Sequence, residues 1–263
     1  MKVDIIGRGL IGGSFEKAAR RAGHDAHIHP GRGPSPDVSG GDIVVVATPL
    51  SAIVPAVEAL AAGGTLRRGA VVVDIAGVKT PVCNALARFA DCGWSFIGGH
   101  PMAGKEKTGY ANSCENLFDG ASMILTPFEN TPPAAKKKLS DFLSTLGFSR
   151  IVESGPGRHD RMISFTSQLC HLISSAYVRD PLAREHEGFS AGSFRDMARV
   201  GAPDPDVWTE LFLANRGELA RTLERFTGRM EAFKDALERG DGAAIHAMLE
   251  EGAAAMETKG GAQ

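Results

Sequence analysis

The sequence predicts an α/β fold: a parallel sheet covered by helices, followed by an all-α half. Three observations predict it. Short unbroken runs of β-branched residues, such as VVVDI at Val71–Ile75, alternate with helical segments up to about residue 154, and such runs suit strands buried on both faces. Strand signals cease from about Gly155, and a run of helices alone follows, a pattern that separates two domains. The length, 263 residues, is comfortable for two cores. The expected division is 1–154 and 155–263.

The expected strands are Val3–Ile6, a second ending near His29, then Ile43–Ala47, Val71–Ile75, Ser95–Ile97, Ala121–Thr126 and Arg150–Val152. Ser14–Arg21 reads as the first helix. A later one opens on Pro132 and Pro133 and stops at Gly147, where a C-terminal cap belongs. Arg158–Arg179 lacks Gly and Pro and carries Met162, Ile163, Leu169, Leu172, Ile173 and Ala176 near helical spacing. Helices from Val207 to about Arg239 and from Gly242 to Met256 complete the second half.

The charge balance, 29 Lys plus Arg against 31 Asp plus Glu, gives no basic field for nucleic acid. No apolar stretch is long enough to span a bilayer. The start, MKVDIIGRG, does not read as a secretory signal. Cys83, Cys92, Cys114 and Cys170 show no metal-type or redox-type spacing. The expectation is a reduced, cytoplasmic protein that binds neither nucleic acid nor membrane.

Gly7, Gly9 and Gly12 form Gly-x-Gly-x-x-Gly directly after the first strand and open a helix. In that setting the first glycine permits the tight turn, the second lets backbone approach a pyrophosphate, and the third lets helix and strand pack closely. Leu10 and Ile11 bring helix N-terminal N–H groups to the phosphates. This is the fingerprint of a Rossmann-type dinucleotide site. The acidic residue expected at the end of the second strand is missing: His29, Pro30, Gly31 and Arg32 stand there. The next buried strand follows too soon for the usual intervening helix and strand, so the adenosine side is trimmed. Arg32 is either a partner for a 2′-phosphate or a solvated loop arginine, which leaves NAD or NADP open with a slight lean to NADP. His24, His27 and His29 have no carboxylate or cysteine at ligand spacing, and no metal is expected.

Thr48 and Pro49 end one strand, and Asp74–Lys79 (DIAGVK), with Ala76 and Gly77, end another. Ligands of open α/β sheets bind at such ends. The next reads GGHPMAGKEKTGY, and His100 there is either a general base working near neutral pH or a structural histidine.

GRGLIGGS, VVVATPL, GGHPMAGKE, NLFDGASMILTP, RHDRMISFTSQLCH and SFRDMARVGAPDPDVWTELFLAN come in the order seen in prephenate dehydrogenases. From Val3 to about residue 220 the chain resembles the prephenate/arogenate dehydrogenase family. The resemblance implies that His100 is the catalytic histidine at the ring hydroxyl and Glu106 an acidic residue near the substrate entrance. It implies that Arg199 binds a substrate carboxylate, with Arg195 a neighbouring basic position. Two departures stand out. The family often has Ser before Val-Lys, where this chain has Gly77, so His100 works with less help. The family's His-x-x-His is Gln168-x-x-His171 here, which alters contacts to the substrate tail.

The implied reaction is NAD(P)-dependent oxidative decarboxylation of prephenate to 4-hydroxyphenylpyruvate in tyrosine biosynthesis, or of arogenate to tyrosine. The resemblance also implies a homodimer through the helical domain. A β-hydroxyacid dehydrogenase on the same scaffold would not require His100, Arg195 and Arg199 together. A non-enzymatic dinucleotide sensor would use the helices only as an interaction surface.

Overall fold

The computed structural model describes residues 1–105 and 107–257. Its seven-stranded sheet has the order β2-β1-β3-β4-β5-β6-β7. The strands are β1 (Lys2–Ile6), β2 (Asp25–His29), β3 (Ile43–Val46), β4 (Val71–Asp74), β5 (Ser95–Pro101), β6 (Ser122–Thr126) and β7 (Arg150–Glu153). β1 pairs with β2 on one side and β3 on the other, both parallel, so strand order reverses at β1 and a cleft opens above its C-terminal end.

Every residue of β3 and β4 is buried, and the two faces divide by alternation. Ile43, Val45, Val71 and Val73 join Phe15, Phe118, Phe142 and Phe148 in one core. Val44, Val46 and Val72 join Ile53, Val57, Leu60, Val82 and Leu86 in the other. The first core lies under α1 (Leu10–Arg21) and α4 (Pro133–Thr145), the second under α2 (Leu50–Ala62) and α3 (Thr80–Leu86).

Five details differ from the expectation. The sheet is not wholly parallel, because β6 runs antiparallel to β5 before β7 returns parallel to β6. The link from β5 to β6 carries only a 3₁₀ turn at Tyr110–Asn112 among the described residues, and without a crossover helix the chain re-enters from the end it left. β5 itself continues past Ile97 to Pro101. Its two glycines permit this close passage. A side chain at Gly98 would run into Thr126 Oγ1, and a Cβ at Gly99 would stand 2.6 Å from the Asp74 carbonyl oxygen.

The helix expected over 158–179 is divided into α5 (Pro156–Ile163), a π-helical turn at Ser164–Gln168, and α6 (Leu169–Tyr177). Ser164 Oγ donates to Arg161 O at 2.7 Å and Thr166 Oγ1 to Met162 O at 3.0 Å. Hydroxyls that compete for helix carbonyls loosen the ladder there, and such turns concentrate at functional sites. After α7 (Gly192–Ala198), the helix expected from Val207 is also divided, into α8 (Pro205–Ala214) and α9 (Arg216–Glu238). Asn215 takes φ −112° and ψ 20° between them. Finally, α1 begins at Leu10, directly after the glycine turn. Helix α10 is Gly242–Glu257.

The chain divides into two compact units. Met1–Arg216 holds the sheet and α1–α8; the unit from Gly217 holds the rest of α9 and α10. No helix among the described residues is long and apolar enough to cross a membrane.

Candidate active site

The glycine turn has the shape its sequence requires. Gly7 takes φ +118°, and a side chain there would collide with the Ala47 carbonyl. At Gly12 a Cβ would strike the Gly7 carbonyl. Gly9, the residue before α1, has open space where its side chain would be. Two glycines are therefore fixed by backbone contact, and the third leaves a cradle at a positive helix end, which suits a pyrophosphate. Thr48 is buried at the end of β3, and its Oγ1 has no hydrogen-bond partner. Pro49 precedes α2, while Ile11 lies half-buried in the first turn of α1.

A cavity of about 360 Å³ adjoins this turn. Its walls include Ile6, Arg32, Ser35, Pro55 and Ala56, an apolar slot with one cation and no carboxylate. His29 does not offer its ring freely, since Nε2 pairs with Asp4 Oδ1 at 2.8 Å. His24 Nε2 lies 2.8 Å from Thr145 Oγ1, and His27 pairs with Asp25 at 3.0 Å. The three histidines thus have separate partners.

Across the cleft, the DIAGVK turn is pinned from beneath. Buried Lys79 donates to Asp74 Oδ2 and, at 2.5 Å, to Gly99 O. Asp74 Oδ2 accepts the Ala76 N–H at 2.9 Å, and Oδ1 accepts the Gly99 N–H at 3.1 Å. Removing one partner of such a buried pair would strand a charge. The turn holds Gly77 opposite His100: a Cβ built on Gly77 would lie 3.7 Å from His100 Nε2 and 3.4 Å from Leu211 Cδ2.

Behind its ring, His100 Nδ1 meets His159 Nε2 at 2.9 Å, and His159 Nδ1 meets Asp160 Oδ1 at 2.7 Å. Asp160 also accepts the Lys79 N–H at 2.7 Å and the Thr80 N–H at 2.8 Å. Asn215 donates to Asp160 O at 2.9 Å and to Gln168 Oε1 at 2.7 Å. Burial, then the neighbouring His159 and Lys79, push the His100 imidazole well below its usual range, with Asp160 opposing. Burial alone would raise the Asp160 carboxyl, but hydrogen bonds from His159, Thr80 and Lys79 outweigh it and hold it below the usual range. His100 is therefore neutral at neutral pH beside a carboxylate.

Arg195 and Arg199 stand one turn apart at the end of α7, both exposed. His171 Nδ1 lies 3.1 Å from Val200 O, and its ring lies against Trp208, tilted by 37° with centroids 3.6 Å apart. Burial lowers the His171 pKa; the Val200 contact opposes this and Arg199 adds to it, which places the arginine's charge beside that ring. Gln168 is placed differently from His171. It is 1% exposed, with its amide committed to Asn215 and Leu211 O. Glu106 lies outside the described residues.

Residue-by-residue reading missed His159, Asp160, Asn215 and Trp208. All four sit inside the quoted motif stretches, but only the fold brings His159 behind His100. Glu210 was missed too: its Oε1 accepts the Ser51 N–H at 2.6 Å and ties α8 to the start of α2.

A glycine cradle at the switch point of a doubly wound sheet, facing a neutral, half-buried histidine, defines the class of dinucleotide-dependent dehydrogenases. Within it, the family is shown by direct comparison. Residues 4–152 match the family model described as prephenate dehydrogenase, nucleotide-binding domain, and residues 155–251 match prephenate dehydrogenase, dimerization domain. This chain belongs to the prephenate dehydrogenase family. It is 28% identical over 203 residues to a prephenate dehydrogenase of Bacillus subtilis (strain 168), covering 75% of this chain and 54% of that protein, so the match spans about half of that relative's length. Arogenate dehydrogenase of Synechocystis superposes with a TM-score of 0.81 at 26% identity, over 98% of this chain and 99% of that one. Prephenate dehydrogenase from A. aeolicus, solved with hydroxyphenyl propionate and NAD+, gives 0.81 at 25% identity, over 98% of both chains.

Proposed function

We propose that this chain catalyses the NAD(P)+-dependent oxidative decarboxylation of prephenate to 4-hydroxyphenylpyruvate, a step of tyrosine biosynthesis. The observation that carries the reading is His100, a neutral histidine whose Nε2 faces Gly77 while its Nδ1 is occupied. A second reading takes arogenate, which has an amino group in place of the side-chain keto group; the likeness to the Synechocystis arogenate dehydrogenase supports it.

Gly7, Gly9, Leu10, Ile11 and Gly12 would hold the pyrophosphate of the cofactor, and Thr48, Pro49, Ala76 and Gly77 would contact its nicotinamide half. When bound, the cofactor supplies the hydride acceptor. His100 takes the C4 hydroxyl proton at Nε2 as that carbon is oxidised. The ring carboxylate leaves as carbon dioxide, its bonding electrons complete the aromatic ring and drive the reaction, and the phenolate oxygen formed at C4 takes the proton back from His100. Arg199, with Arg195 beside it, binds a substrate carboxylate as a planar, permanently charged fork. His171, against Trp208, borders the substrate tail, and Gln168 acts from beneath through Asn215; the acidic role the resemblance implies for Glu106 falls outside the described residues. Orientation supplies most of the remaining rate.

The finer choice of cofactor rests on Arg32. It lines the adenosine-side cavity, and no carboxylate does, which supports NADP+ being used at least as well as NAD+. The NAD+ bound in the A. aeolicus relative is the opposing observation. The same reading divides the chain at 154/155, in line with the limits of the two family models. It makes the protein a cytoplasmic homodimer through its helical domain, supported by the description of the second family model and by exposed Leu213, Met230, Leu237 and Leu249.

The test crosses prephenate and arogenate with NAD+ and NADP+ in a steady-state assay of reduced nicotinamide. Turnover of one substrate with equimolar carbon dioxide is expected, and no turnover of either rejects the function. Dissociation constants for both cofactors, in wild type and Arg32→Ala, decide the cofactor. A selective loss of NADP+ affinity supports Arg32 as its reader; equal losses, or none, return the assignment to NAD+.

A further inference from the structure

A neutral histidine can serve as a base at Nε2 only if its single ring proton sits on Nδ1. Nothing in an isolated imidazole ensures that, and Gly77, which faces Nε2, has no side chain to hydrogen-bond it. The control lies behind the ring. Asp160 is an acceptor there, because its Oδ1 also takes the Lys79 N–H and its Oδ2 takes the Thr80 N–H. His159 must therefore present its proton at Nδ1, where it meets Asp160 Oδ1 at 2.7 Å. That leaves His159 Nε2 as a lone pair, and the group 2.9 Å from it, His100 Nδ1, must be the donor. Each step follows from counting donors and acceptors.

We propose that His159 and Asp160 are positioning residues that lock His100 into the tautomer with Nδ1 protonated and support its positive charge as the substrate proton arrives at Nε2. The proposal rests on the reading of His100 as the base. Its parts are rigid: the His159 side chain is 0% and the Asp160 side chain 3% exposed. Asn215 fixes the same helical turn through the Asp160 carbonyl, and the N–H groups of Lys79 and Thr80 anchor the carboxylate to the start of α3. When His100 gains a proton, its Nδ1–H bond to His159 becomes charge-assisted and shortens. No proton need leave His100 during the step. The arrangement has the logic of the aspartate–histidine pair in a serine protease, with a second imidazole between carboxylate and base.

The test compares His159→Leu, which removes the acceptor, with His159→Gln, whose amide oxygen can accept near the same place. In the folded variants His159→Leu is expected to lower kcat by roughly ten- to a hundredfold with KM changed less than about threefold. His159→Gln should recover a substantial part of that loss. Nitrogen NMR of labelled histidine should show His100 with an unprotonated Nε2 in wild type and a mixture of tautomers in His159→Leu. Adding His159→Leu to His100→Asn should cost nothing further, because the residue acts through His100. An unchanged kcat and tautomer in His159→Leu, with His100→Asn inactive, overturns the positioning role alone. Near-normal turnover in His100→Asn overturns the underlying reading instead. Equal losses in the leucine and glutamine variants, with the His100 tautomer unaltered in both, make His159 a packing residue and also reject the proposal.

Discussion

The glycine turn proposed to hold phosphate and the histidine proposed as the base across from it are assembled in different ways. At the phosphate end, Gly7, Gly9 and Gly12 occupy one turn and the start of one helix, and the steric reasons for two of them are backbone atoms of that turn or of Ala47, the residue after β3. At the other end, His100 depends on a partner 59 residues away in sequence, on a carboxylate held by the start of α3, and on an asparagine between α8 and α9. The first is local geometry written in consecutive residues. The second exists only once β5, α3 and α5 have come together. A substitution in the turn should therefore disable cofactor binding directly, whereas one beneath His100 should leave binding intact and act on the chemical step.

The largest expected effect is at the turn. Gly12→Val drives a branched side chain into the Gly7 carbonyl, and overpacking of this kind costs about 1–3 kcal/mol or more. Cofactor affinity, measured by titration, should fall about a hundredfold, since each 1.4 kcal/mol is about tenfold. Affinity within a factor of about three of wild type would show that the turn is not the cradle.

Arg199→Ala should raise KM for the substrate by roughly ten- to a hundredfold with a smaller effect on kcat, given about 1.5–3 kcal/mol for a charge-assisted contact. If thermal stability falls instead while KM in the folded protein is unchanged, the arginine is a structural ion-pair partner.

The pH dependence probes the base end. His100 must be neutral to act, and burial with His159 and Lys79 pushes its pKa below the ordinary value. As pH falls, kcat/KM should stay level through about pH 6.5, where an unperturbed histidine would begin to protonate. It should drop about tenfold per unit only further into the acid range. An acid limb centred at or above about 6.5 would place His100 in a wetter setting than this one.

The smallest effect expected is a gain. A Cβ on Gly77 meets only ordinary contacts, at 3.4 Å from Leu211 and 3.7 Å from His100 Nε2. Gly77→Ser therefore fits, and it brings a hydroxyl to hydrogen-bond reach of the base. One such bond contributes about 0.5–1.5 kcal/mol, so kcat should rise by up to about tenfold. A fall in kcat would mean that the open space at Gly77 is itself required.

The contrast also explains what could be read in advance. Buried strands such as VVVDI announce themselves because fully covered strands need unbroken apolar runs. Gly-x-Gly-x-x-Gly is legible because each glycine answers to a neighbour in the same turn. His100 stood out through its motif, but its extension inside β5 did not, since the contacts that demand Gly98 and Gly99 come from Thr126, Asp74 and Met123 on other strands. The π turn at Ser164–Gln168 and the break at Asn215 were hidden for the same reason. Helical periodicity continues through both, and side-chain hydrogen bonds interrupt it. His159 and Asp160 carried no spacing that pointed at His100; only the packing of α5 against α3 and β5 reveals the chain.

The central claim is that His100 is the base of a dehydrogenase whose cofactor site is built separately from it. The most direct test is His100→Asn, assayed for kcat at saturating cofactor and, in the same preparation, for cofactor dissociation constant. A fall in kcat of about a hundredfold or more, with cofactor affinity unchanged within about twofold, is the expected result. Turnover near that of the wild type, or a loss of cofactor binding as large as the loss of rate, would contradict it.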